Sequence, residues 1–111
     1  MPKPAPESAH TDATISQLHG HNGLAHLRVR KHGAALVIES GPPSDPVKHA
    51  RLVRDGVSLW ILEIADHRGR WEYTGVREGR ADAVAKLIGE FGWVLTDIAG
   101  EIPDRTSDPK Y

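Results

Sequence analysis

Cysteine is missing from all 111 residues. That excludes a disulfide scaffold, a thiolate metal site and a cysteine nucleophile. It fits a reducing compartment, so a cytoplasmic protein is expected. Long apolar runs are missing too. Stretches such as Ala34–Ile38 fall far short of the about 20 residues that span a bilayer, and no membrane partner is expected. Met1–Glu7 holds three prolines and no apolar run, so it does not read as a signal peptide. An excess of charge of one sign is also lacking: 14 Lys and Arg stand against 15 Asp and Glu. The broad basic footprint of a strong nucleic-acid binder is therefore absent. There is no glycine-rich phosphate loop, no Gly-x-Ser-x-Gly elbow and no His-Glu-x-x-His, so no cofactor is implied and enzymatic activity is disfavoured.

What is present divides the chain in three. Residues 1–23 are poor in apolar side chains, with only Ile15 and Leu18 as large aliphatics before Leu24. They read as a flexible arm, with at most a helical turn over Ala13–Leu18, and the core is expected to survive removal of residues 1–20. Residues 24–98 form a single domain. Residues 99–111 are again polar and read as a flexible tail. Residues 24–96 are slightly basic and the segment from Asp97 onward slightly acidic, with Asp97, Glu101, Asp104 and Asp108 against Arg105 and Lys110.

Within the domain the apolar residues first repeat with period two, the signature of strands. His26–Arg30 alternates and Lys31–Gly33 turns. Ala34–Glu39 is apolar on both faces, and Gly41–Pro46 is a proline-rich loop. His49–Val53 is again extended. Asp55-Gly56 suits a two-residue turn with positive φ at both positions, which makes Val57–Ala65 the partner strand of a hairpin. Asp66–Gly69 turns the chain once more into Arg70–Thr74. The period then changes. Val84, Leu87, Ile88 and Phe91 lie at i, i+3, i+4 and i+7, one stripe of a helix over about residues 80–91. Gly92 suits its end, and Trp93–Leu95 is expected as a short final strand. The expected fold is α+β: a five-stranded antiparallel meander with one C-terminal amphipathic helix on one face, Trp71 or Tyr73 beneath it, and that last strand.

Three groups of residues carry candidate chemistry. His10, His19, His21 and His26 are close in sequence, but a rigid metal site needs three or four fixed ligands, so solvated side chains are the expectation and no metal is assigned. Asp66-His67-Arg68-Gly69-Arg70-Trp71-Glu72 gathers an acid, an imidazole and two guanidiniums in one turn. His67 there suits general acid–base work and Arg68 or Arg70 suits an anion, although a polar hairpin turn has the same composition. Finally, His26, Arg28 and Arg30 are expected to share a strand face and His49 and Arg51 another, and such a row suits phosphates. Glu39, Glu63 and Glu72 on neighbouring strands are placed to neutralise it.

The helix of about twelve residues covers one sheet face. Since the strands carry apolar residues on both faces, the second face needs a cover. The sequence therefore points to a small non-enzymatic binding or accessory module acting through its sheet face, with a protein partner and possible assembly as a homodimer. The alternative is weak nucleic-acid binding through Arg28, Arg30, Arg51, Arg68 and Arg70. A small enzyme centred on His67 comes third.

Overall fold

The computed structural model describes residues 5–21, 23–66 and 68–95. Along the chain lie α1 (Ser8–His19), β1 (Arg28–His32), β2 (Ala35–Ser40), β3 (Val47–Arg54), β4 (Trp60–Ala65), β5 (Trp71–Glu78), α2 (Arg80–Glu90) and a 3-10 turn over Gly92–Leu95. The five strands form one antiparallel sheet in the order β1-β2-β3-β4-β5. Among the described residues no helix is long and apolar enough to cross a membrane.

Alternation along the strands builds the core. Leu36, Leu52 and Leu62 pair across three strands, and Ile38, Ala50 and Ile64 form the next row. With Trp60 and Val76 they share one cluster with Leu18 of α1, Ala83, Val84 and Leu87 of α2, and Val94 and Leu95 of the 3-10 turn. Ile88 and Phe91 pack against that cluster half-buried. The other set of strand residues, among them Val37, Arg51, Val53, Ile61 and Glu63, points the opposite way and is outside it.

Several expectations are corrected here. Ser8–His19 is a helix where an arm was expected, and Thr14 and Leu18 are buried in it. It lacks an apolar stripe because it docks through hydrogen bonds. Arg80 donates to Thr14 Oγ1 (3.1 Å) and Gln17 Oε1 (3.2 Å), and Gln17 Nε2 donates to the Ala81 carbonyl (2.9 Å). Burial holds the Arg80 guanidinium below its ordinary pKa.

The Asp55-Gly56 hairpin turn is instead a five-residue loop, closed by the Asp55 N–H donating to Leu59 O (2.8 Å), and β4 starts only at Trp60. Gly56 does not take a positive φ; Gly69, in the β4–β5 turn, does (79°). Arg54 sets the longer loop. It is buried, lies over the Trp60 ring, and donates to the carbonyls of Gly56 (3.2 Å), Val57 (2.9 Å) and Ala5 (2.8 Å). The segment Trp93–Leu95 belongs to the 3-10 turn, so there is no final strand among the described residues. Trp71 and Tyr73 are not beneath α2. They pair with Ala65 and Glu63 on the side away from the core, and Val76 takes the inward position on β5. The residues expected to form the flexible tail, 99–111, lie outside the described residues.

Two bulges shape the sheet. Ile38 pairs with Ala50 and Glu39 with Lys48, which leaves His49 as the extra residue of β3. On β5 the register passes from Ile61–Arg77 to Glu63–Tyr73, so Thr74, Gly75 and Val76 face Leu62 together. Gly75 adopts φ 90° there, and the Thr74 hydroxyl donates to Leu62 O (2.8 Å) in place of a backbone group.

Candidate functional sites

The face of the sheet away from the helices carries three ion-paired groups. On β1, Arg28 and Arg30 share the buried carboxylate of Glu39 on β2, at 3.5 and 3.1 Å. On β3, Arg51 pairs with Glu63 of β4, and its guanidinium also stacks over the Trp71 ring, 4.7 Å from the centroid. On β5, Arg77 meets Asp55 at 2.7 Å. Tyr73, opposite Glu63, is 57% exposed. Arg30 and Arg51 stand on either side of Val37, which is only 3% exposed. Their alkyl stems shield it while the charged heads reach the carboxylates. The apolar residues of this face are thus partly covered by the chain's own arginines.

The expected binding residues do not converge on one place. Arg28 and Arg30 lie together on Glu39, and Arg51 lies two strands away with Trp71. His49 does not share a face with Arg51, because the bulge turns it towards the 3-10 turn, where it is buried. Arg68 and Arg70 belong to the β4–β5 turn, where both backbone N–H groups donate to Asp66 Oδ1 (2.8 and 2.9 Å). Their exposed side chains have no ion-pair partner among the described residues. His67 lies outside the described residues. The histidines near the N-terminus are dispersed. His10 accepts from the Glu7 N–H (3.0 Å) and sits edge-on to Trp60, His19 bonds Leu27 O (2.8 Å), and His26 bonds Leu95 O (3.1 Å).

A second site, which the sequence reading did not find, is a cleft of about 520 Å³ at one end of the sheet. Pro46, Val47, Lys48 and His49 of the loop into β3 and its start form one wall. Ala65, Asp66 and Gly69 form the second, and Trp93 and Val94 the third. His49 fixes this end of the molecule. One ring nitrogen, Nδ1, donates to Val94 O and the other accepts from the Ser40 hydroxyl, both at 2.7 Å. A carbonyl can only accept, so the Val94 contact sets the tautomer. The one signal in the sequence was weak: a histidine within a strand beside a proline-rich loop.

Comparison with protein-family models, with curated proteins and with solved structures finds no match.

Proposed function

We propose that this protein is a non-enzymatic binding module whose sheet face away from the helices docks against a second copy of the chain. The observation that carries the reading is Tyr73, 57% exposed, beside Trp71 and four arginines on a face outside the core. Tyr, Trp and Arg are the residues enriched where protein interfaces concentrate their binding energy. Arg28 and Arg30 share Glu39, Arg51 pairs with Glu63 and Arg77 with Asp55, so positive and negative positions stand side by side on this surface. A two-fold axis can set the positive positions of one copy over the negative positions of the other without like-charge contact. Sedimentation velocity across the micromolar range tests this, with Tyr73→Glu as the interface variant.

One observation favours a second reading. Glu39 is a single carboxylate serving two arginines, which leaves one positive charge at the β1–β2 edge for a phosphate. Binding of single-stranded nucleic acid there would weaken steeply with added salt. An electrophoretic shift that is unchanged between low and high salt would exclude it.

A further inference from the structure

We infer that the cleft between the start of β3, the β4–β5 turn and the 3-10 turn is a binding site for a small aromatic carboxylate. The site is separate from the sheet face described above, and its test stands apart from that one. The cleft is of a size that small ligands use, and its walls are mixed in a specific way. Pro46, Val47, Ala65, Val94 and the indole of Trp93 offer an apolar lining. Trp93 is 68% exposed and Val47 36%, so a flat ring laid against them removes apolar surface from water at little cost in polar desolvation.

The charged groups select the sign of the ligand. Lys48 lines the cleft, is exposed, and has no ion-pair partner among the described residues. Its cross-strand neighbour Glu39 is engaged by Arg28 and Arg30 on β1. Asp66 is the acid among the lining residues, and its Oδ1 already accepts two backbone N–H groups of the turn. Among the lining residues Lys48 is thus the cation left to pair, while the Asp66 carboxylate is already held by the turn, so a ligand carboxylate has a charge partner in the cleft. His49 contributes shape, because both of its ring nitrogens are engaged by Val94 and Ser40. That network holds the floor of the cleft rigid before any ligand arrives, which lowers the ordering cost of binding.

Amide chemical-shift titration with 1-naphthoate tests the assignment, with 1-naphthalenemethanol as the neutral counterpart. Saturable shifts are expected at Lys48, Gly69 and Val94, with Tyr73 unmoved, and the carboxylate should bind roughly tenfold more tightly than the alcohol, as one charge-assisted contact implies. Lys48→Gln should bring the carboxylate down towards the alcohol and leave the alcohol unchanged. Trp93→Ala should weaken both. The amide spectrum itself shows whether each variant is folded. Equal affinity for the two probes, absence of saturable shifts at the three cleft amides, or an unchanged preference in Lys48→Gln would each overturn the proposal.

Discussion

His49 sits one place out of step with its strand, and that displacement gives it a job no neighbour has. Buried between Ser40 and Val94, it ties the β2–β3 bulge to the 3-10 turn. Replacing it with leucine leaves a buried hydroxyl and a buried carbonyl without their partner, so His49→Leu should destabilise by about 2–4 kcal/mol in urea unfolding. Ser40→Ala removes the hydroxyl alone, and the double variant should cost less than the sum of the two single ones, because the groups act as one network. Strict additivity would mean that the Ser40 contact contributes nothing. Arg54 works in a similar way. Its guanidinium satisfies three carbonyls from two distant segments, and Arg54→Ala should cost about 2–3 kcal/mol by the same measurement. A loss of only a few tenths would show that water replaces it without penalty. Neither role was legible in the sequence. A histidine or arginine within a strand reads as a surface residue until the register and the loop length are known.

At the scale of elements, legibility followed periodicity. The meander was readable from the alternation of His26–Arg30, the apolar runs Ala34–Glu39 and Val57–Ala65 and the turns between them, and the stripe of Val84 and Leu87 marked α2. What failed was whatever depended on polar contacts. Helix α1 buries Leu18 but has almost no apolar face, and its attachment to α2 runs through Thr14, Gln17 and Arg80. Composition alone therefore presented it as an arm. The Asp55-Gly56 pair promised a tight turn, yet Arg54 draws the Gly56 and Val57 carbonyls inward and lengthens the loop. The removal of residues 1–20, which the sequence suggested would be harmless, should instead take Leu18 out of the core, leave Arg80 without Thr14 and Gln17, and lower the thermal midpoint markedly. An unchanged midpoint would show α1 to be dispensable. The β5 bulge makes its own prediction. Gly75 has open space around a would-be Cβ but a φ of 90°, so Gly75→Ala meets backbone strain alone and should cost about 1–3 kcal/mol.

On the scale of the whole molecule, the two sheet faces differ in kind. One is packed under α1, α2 and the 3-10 turn. The other is a lattice of paired charges with Trp71 and Tyr73 among them. The sequence located this second face and most of its residues, since the alternation of Arg28, Arg30, Arg51 and Glu63 is visible in the chain. It overstated the apolar area left open, because it did not foresee Arg30 and Arg51 flanking and shielding Val37. It also missed the end cleft altogether, whose walls come from three segments far apart in sequence. The central claim is that the charged, aromatic face is a self-docking surface, and sedimentation velocity addresses it directly. The wild-type chain should run as a dimer in the micromolar range, and Tyr73→Glu, a substitution at an exposed site, should run as a folded monomer. A wild-type chain that stays monomeric throughout that range, or a Tyr73→Glu variant that dimerises as tightly as the wild type, would contradict it.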